Sequence, residues 1–440
     1  MRLPIVDYPE IVRKNLCEFE EVFHTPEQKK HFCEYVTGLI AGDEATVKAI
    51  NGLFLDKNDQ SALNKFIVQA EWDEQGLNKK RVEWELSRLK RRPLSAEAGR
   101  LILDDTLAHH THCQMEGLAY LYDHSLGYNV WAHDVVTSYY VNRSDQFPVD
   151  LRLYRQFRAI YEKQALVKVS QAIQKEASVA HYRDYLANLL SYHYRQQAFR
   201  TKTELSAELV QQAIAYQLPF EVVLFDSWFL RWSLVEPIQT AGKDWIGGCP
   251  KDRKVLFQNQ WMQLQEYIRT IPAEAYHPYS VGDHCYWVFT KVVPMQALDR
   301  QRVRILASYQ DHLTLDKTPN FYATNRKDWE PLHILQTYAD RWPTETFNED
   351  VKEQLGFEDY QLHQVRSIRR HWYLSWVAYS LLSDQAPPGR SRWRFKDHFQ
   401  STGQRCQAVV NELLALLVHW IAQQLHSGGS PDSILAALLQ

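Results

Sequence analysis

The segment Tyr338-Ala-Asp-Arg341-Trp-Pro-Thr-Glu345-Thr-Phe-Asn-Glu-Asp-Val-Lys352 sets a tyrosine, an arginine, a glutamate and a lysine in the spacing Y-x2-R-x3-E-x6-K. On a helix turning roughly 100° per residue, offsets of about two and four turns return Glu345 and Lys352 nearly to the face of Tyr338. Pro343 disfavours helix at Trp342 and suits the first turn of a new helix, so the shared face is secure for Glu345 and Lys352 alone. A carboxylate flanked by cations along one stripe suits a divalent metal and a phosphate.

Upstream, two apolar runs end in acids. Arg100-Leu-Ile-Leu-Asp104-Asp105-Thr106 and Phe220-Glu-Val-Val-Leu-Phe-Asp226-Ser-Trp-Phe229 read as buried strands delivering carboxylates at their C-terminal ends. With the Tyr-Arg-Glu-Lys spacing, they resemble the DDE transposases of bacterial insertion sequences, in the branch that carries that signature. The family's first aspartate commonly precedes a threonine, which selects Asp105 over Asp104. Asp104 then either assists Asp105 or is merely exposed by strand alternation.

The resemblance implies an α/β fold in which an RNase H-like catalytic core is interrupted by a β-rich insertion and preceded by an all-helical N-terminal domain. It implies Asp105, Asp226 and Glu345 as the catalytic and metal-binding acids, with Mg2+ as cofactor or Mn2+ in its place. Oxygen ligands suit such hard cations, and two of them can stabilise the attacking and leaving oxygens of an in-line displacement at phosphorus. Tyr338, Arg341 and Lys352 are implied to hold the phosphate of the cleaved end, Arg341 through a forked contact. The implied partners are double-stranded DNA, as element ends and target, and a second copy of the chain on that DNA. No membrane is implied, and the location is the bacterial cytoplasm, associated with the nucleoid. Two other readings remain open: a catalytically silent DNA-binding protein derived from a transposase, and a metal-dependent nuclease that cuts without strand transfer.

Composition sets bounds. At 440 residues and 45% hydrophobic the chain can bury several cores. Its start, Met1-Arg-Leu-Pro-Ile-Val-Asp-Tyr, lacks the apolar stretch of a cleavable signal, and the apolar text near Val409–Leu425, interrupted by Asn411, Glu412, His419 and Gln423, falls short of a membrane span. Six scattered cysteines without a C-x2-C pair fit a reducing compartment. The net charge of -3 argues against a uniformly basic DNA-binding surface, so phosphate contacts must come from local patches. Lys79 to Arg92 holds seven cations against Glu83 and Glu85, and Arg88, Lys90, Arg91 and Arg92 read as a basic linker that contacts DNA. Arg390-Ser-Arg-Trp-Arg-Phe-Lys396 is a second patch, mixing cations with aromatics.

Along the chain, residues 1–95 read as a helical DNA-binding domain, with a possible helix-turn-helix whose helices are capped by Asp43 and Asp59. Residues 96–245 read as the first part of the core, 246–325 as the β-rich insertion, 326–385 as the second part with the Glu345 helix, and 386–440 as a C-terminal helical region. His109, His110, His112 and Cys113 read as a loop near the active site in preference to a zinc site. Trp228 and Phe229 read as core residues.

Overall fold

The computed structural model describes residues 4–56, 59–91, 98–111, 115–155, 199–386 and 398–439. Arg92, His112, Cys113 and the Arg390–Lys396 patch lie outside them.

The N-terminal fifth is helical: α1 (Glu10–Phe19), α2 (Pro26–Ala41), α3 (Val47–Gly52), α4 (Gln60–Val68) and α5 (Glu74–Arg91). Thr25 caps α2 by accepting from the Gln28 amide, with Pro26 at the first helical position. Asp59 caps α4 as expected, accepting from Ser61. The N-cap of α3 is Thr46 and not Asp43: the helix starts at Val47, and the Thr46 hydroxyl takes the Ala49 amide. The stretch expected to be a basic linker is the C-terminal half of α5. Arg81 is fully buried there and donates to Asn78 and to the Val149 carbonyl. Arg88 is buried against Glu85 (2.7 Å) and Asp384 (3.1 Å), with its guanidinium over the Trp84 ring. Lys90 and Arg91 remain exposed.

From residue 99 the pattern becomes mixed strand and helix. β1 (Gly99–His110), β2 (Ala119–Asp123), β3 (Tyr128–Val141), β4 (Gln146–Tyr154), α6 (Lys202–Ala215), β5 (Phe220–Phe225), α7 (Trp232–Thr240) and β6 (Asp244–Gly248) come first. After them come a small hairpin of β7 (Lys254–Phe257) and β8 (Gln260–Gln263), helix α8 (Leu264–Arg269), and the strands β9 (His277–Val281), β10 (His284–Pro294), β11 (Arg302–Gln310) and β12 (Asn320–Thr324). The chain ends in α9 (Pro331–Ala339), α10 (Pro343–Leu355), α11 (Val365–Asp384), α12 (Thr402–His426) and α13 (Pro431–Leu438). One mixed sheet of ten strands runs β2-β3-β1-β5-β6-β12-β11-β10-β9, with β4 also on β3. β1 lies inside it, antiparallel to β3 and parallel to β5, and β5 is parallel to β6. This architecture is consistent with an RNase H-like core.

The pleat of β1 divides two cores. Ile102 and Ala108 join a cluster with Leu224, with Phe347 and Val351 of α10, with Trp372 and Trp376 of α11, and with N-terminal residues such as Phe32 and Tyr35. Leu101 and Leu103 join the opposite cluster with Val223, Leu209 of α6 and Leu234 of α7. The N-terminal helices therefore pack directly on the sheet's C-terminal helices. Two polar links reinforce that contact: the Tyr35 hydroxyl meets His371 Nδ1 at 2.9 Å, and Arg370 donates to the carbonyls of Ile67, Ala70 and Trp72 at 3.1, 2.7 and 2.6 Å.

Helix α12 differs from the sequence expectation. By length and composition alone it is long and apolar enough to cross a bilayer. Cys406, Val409, Leu413 and Leu417 are instead buried against the body of the protein, while Val410, Leu414, Val418 and Leu425 form an exposed stripe.

Arg370 is wholly inaccessible, and its guanidinium donates to carbonyls at and just after the end of α4. Replacing Arg370 with Met should lower the unfolding free energy by about 3 kcal/mol, the cost of stranding buried acceptors. A urea titration at unchanged slope gives the measurement, and a loss below about 1 kcal/mol would show those carbonyls to be otherwise satisfied.

Candidate active site

The adjacent acids of β1 point to opposite faces. Asp104 lies on the face of Ile102, beneath α9 and α10, and Asp105 on that of Leu103, beneath α6. The parallel register pairs Leu103 with Phe225, so the next residue of each strand, Asp104 and Asp226, leaves the sheet side by side. Asp226 is extended and caps a single helical turn, Ser227–Phe229, its carboxylate accepting the Ser227 amide.

The Tyr-Arg-Glu-Lys residues come from two helices. α9 ends at Ala339, and α10 begins at Pro343 in the first-turn position the sequence indicated. Between them the turn is pinned to β1 by Asp340, whose carboxylate meets Arg100 at 2.9 Å. Arg100, Ile102 and Asp104 share one face of β1, so the pin directs the next residue, Arg341, at Asp104. Its guanidinium stands 3.5 Å from the Asp104 carboxylate and donates to Glu345, one turn along α10. The Arg341 Nε is buried without a hydrogen-bond partner. The Tyr338 hydroxyl reaches the Phe225 carbonyl at 3.5 Å, next to Asp226, and its ring is edge-on to Tyr322 of β12. Burial pushes the Tyr338 phenol well up, so it stays protonated.

Lys352 lies further from the acids. Its ammonium donates to the Leu107 carbonyl at 2.7 Å, on the part of β1 that runs beyond β5, and burial pulls its pKa down. Glu358 accepts the His109 amide along the same open edge.

The structure thus brings Asp104 and Glu345 to Arg341, with Asp226 beside Asp104 at the end of the neighbouring strand and Tyr338 at their border. It does not bring the Asp105 side chain to them. Asp105 instead receives Lys202 of α6 at 2.7 Å, and Lys202 also meets Asp134 of β3 at 2.6 Å. The threonine after the pair selected Asp105 in the sequence, whereas the pleat places Asp104, not Asp105, on the face of α9 and α10. Lys202 and Asp134 went unnoticed there, although a carboxylate inside the buried strand text of Val130–Val141 required a cation. Trp228 is also placed differently: Phe229 is buried, but Trp228 is 58% exposed on the turn after Asp226, as is Trp342 (66%) before α10. Of the histidines, His109 pairs with Asp123, while the His110 ring packs edge-on against Tyr360.

Burial beside Asp105 and Asp226 pushes the Asp104 carboxyl up to about 7, with Arg341 opposing the shift. Crowded acids in a half-covered site fit a hard divalent cation in donor type and charge. Among the described residues, however, no three such side chains already stand together in a way that would enclose a metal ion. The Arg341 guanidinium lies between Asp104 and Glu345 instead.

The chain matches the family model described as DDE superfamily endonuclease over residues 18–270, more than half its length, and the one described as transposase DDE domain over residues 187–381. It belongs to the DDE superfamily of endonucleases. The first match spans Asp104, Asp105 and Asp226, and the second spans Asp226, Arg341, Glu345 and Lys352. No curated protein matches the chain.

A carboxyl whose pKa is raised in the folded state binds its proton more tightly there than when unfolded. The wild type therefore loses stability as pH rises from the ordinary aspartate range toward about 7, and stays lower above it. Asp104→Asn escapes that loss. Its melting temperature should exceed the wild type's by several degrees at pH 8, with the gap closing toward pH 4. Scanning calorimetry across that range checks it, and a gap independent of pH would contradict the electrostatic crowding.

Proposed function

We propose that the protein is a DNA transposase that binds the ends of an insertion sequence, cleaves them and joins the resulting 3'-OH ends to target DNA, with Asp104, Asp226 and Glu345 as its metal-holding acids. The observation that carries this reading is Arg341 held between Asp104 of β1 and Glu345 of α10, with Asp226 leaving the adjacent strand β5 beside Asp104, inside regions that match DDE endonuclease and transposase families. Mg2+ held there would stabilise charge on the attacking and leaving oxygens of the phosphodiester. The residues themselves bind and orient. Arg341 offers forked donors to a phosphate oxygen, Tyr338 borders the acids with a protonated hydroxyl, and Lys352 anchors α10 to β1 and thereby positions Glu345. In cleavage, water forms a new P–O bond and the 3' oxygen leaves with a proton. In joining, that 3'-OH forms the bond to a target phosphorus and a target oxygen leaves.

The strands β7–β12 are read as the insertion, residues 1–95 as the part that recognises element ends, and the bacterial cytoplasm as the setting. Lys90 and Arg91 remain the accessible cations of the proposed DNA contact on α5, with Arg92 beyond the described residues. A nuclease without strand transfer is the alternative, and labelled element ends incubated with a target plasmid decide between them: joined products support the transposase.

In that assay Asp104→Asn, Asp226→Asn and Glu345→Gln should each reduce cleavage by a thousandfold or so, about 4 kcal/mol of barrier, while still binding element ends. Asp105→Asn, on the other face with Lys202, should retain cleavage within about tenfold. The reverse ranking, with Asp105→Asn inactive yet folded and Asp104→Asn active, would return the role to Asp105.

Two element ends and one acid cluster per chain call for two copies on paired ends, and the exposed stripe of α12 is the proposed contact. Leu414→Glu combined with Val418→Glu should halve the protein content of the paired-end complex in light scattering. Unchanged stoichiometry would remove α12 from that role.

A further inference from the structure

We infer that Arg341 is the resident counter-ion of the acid cluster in the DNA-free protein, excluding divalent metal until a DNA phosphate draws the guanidinium away, so that element ends and metal bind cooperatively. This rests on the reading of Asp104, Asp226 and Glu345 as metal-holding acids.

The geometry supplies the argument. The guanidinium faces Asp104 at 3.5 Å and bonds Glu345, and those are two of the three carboxylates a metal would need. Two cations cannot share that gap. A divalent ion between the same oxygens would sit within a few ångströms of a fixed positive charge in a half-buried site, where repulsion is poorly screened. Metal entry therefore requires Arg341 to leave, at the expense of both ion pairs. The departing guanidinium stays charged, so an anion outside the cluster favours its departure over exchange into water alone. Lys202 already neutralises Asp105 and Asp134 on the other face, so no nearby free carboxylate of β1 takes over. A phosphodiester is the anion that the substrate itself brings.

The side chain is also placed to move. Arg341 belongs to the turn between α9 and α10, pinned through its neighbour Asp340 while its own Nε has no hydrogen-bond partner. In this same placement the guanidinium lies 5.9 Å from the Tyr338 ring, so an aromatic face borders it at the rim of the acids. Thermodynamic reciprocity then follows: if a phosphate favours the displaced arginine and metal favours it too, each tightens the binding of the other.

Mn2+ binding to the full chain, followed through the electron paramagnetic resonance of free Mn2+, tests this without relying on activity. Arg341→Gln should bind Mn2+ about tenfold more tightly than wild type in the absence of DNA, within the range usual for such couplings. Arg341→Lys, which keeps a charge in the cluster, should fall back toward wild type. A duplex carrying an element end should tighten Mn2+ binding by the wild type, after subtraction of the same duplex with Asp226→Asn, and should add little for Arg341→Gln. Equal or weaker Mn2+ binding by Arg341→Gln, folded by circular dichroism, would overturn the inference, as would tight binding by Arg341→Lys. If Asp226→Asn bound Mn2+ as well as wild type, the carboxylate reading itself would fall; if it lost Mn2+ while Arg341→Gln gained nothing, only the counter-ion inference would.

Discussion

Two adjacent aspartates on one strand cannot both serve one site, because successive side chains of a strand point to opposite faces of the sheet. In β1 that constraint separates Asp104, which meets Arg341, from Asp105, which meets Lys202. Everything around the two residues follows the division. The face of Asp104 carries α9, α10 and α11, and the face of Asp105 carries α6 and α7. A one-residue slip of β1 would exchange them and move Ile102 and Leu103 each into the other's core, so the register and packing of β1 set which acid each face receives.

The long open edge of β1 explains how Glu345 is held. β5 ends at the level of Leu103, leaving the later amides and carbonyls of β1 without a strand on that side. Lys352 takes the Leu107 carbonyl and Glu358 the His109 amide, so α10 and the segment after it act as the edge's cover. The distances match. From Glu345 to Lys352 is roughly 10 Å of helix at 1.5 Å per residue, and from Asp104 to Leu107 is roughly 10 Å of strand at 3.3 Å per residue. A helix fixed to Leu107 by Lys352 therefore sets Glu345 at the level of Asp104. The two-turn interval in the sequence has a mechanical meaning here that phosphate binding alone would not require.

Much of this was readable from the sequence, and what was not has identifiable causes. The apolar runs ending in Asp226 and in the Asp104–Asp105 pair announced their strands, since β-branched and aromatic residues in short runs have few alternatives. Pro343 announced the start of α10 because its ring fixes the backbone and needs no amide partner. The choice between Asp104 and Asp105 was not legible, because strand phase depends on which face each apolar neighbour occupies, and both faces of β1 are apolar. The start of α3 was misjudged for a local reason: Asp43 and Thr46 are both good caps, and only packing selects between them. Asp134 and Lys202 were missed because their partnership joins distant segments across the sheet.

Charge counting failed for a physical reason that bears on how such a protein can hold DNA. A chain of net charge -3 would be expected to find its phosphate contacts in its basic clusters, yet several of those cations are internal. Arg81 and Arg370 are wholly buried, Arg88 is paired twice, Lys202 joins two strands and Lys352 covers an edge. Each meets carbonyls or carboxylates that would otherwise be stranded, so none could turn to a phosphate without leaving a buried acceptor behind. The cation at the acid cluster is different in kind, because the carboxylates that hold Arg341 are those proposed to hold a metal. Its ion pairs are therefore replaceable, whereas those of Arg88 and Lys202 are not. A residue whose partners can be taken over by another cation is the one that can be handed to a substrate, and in this site that residue is Arg341.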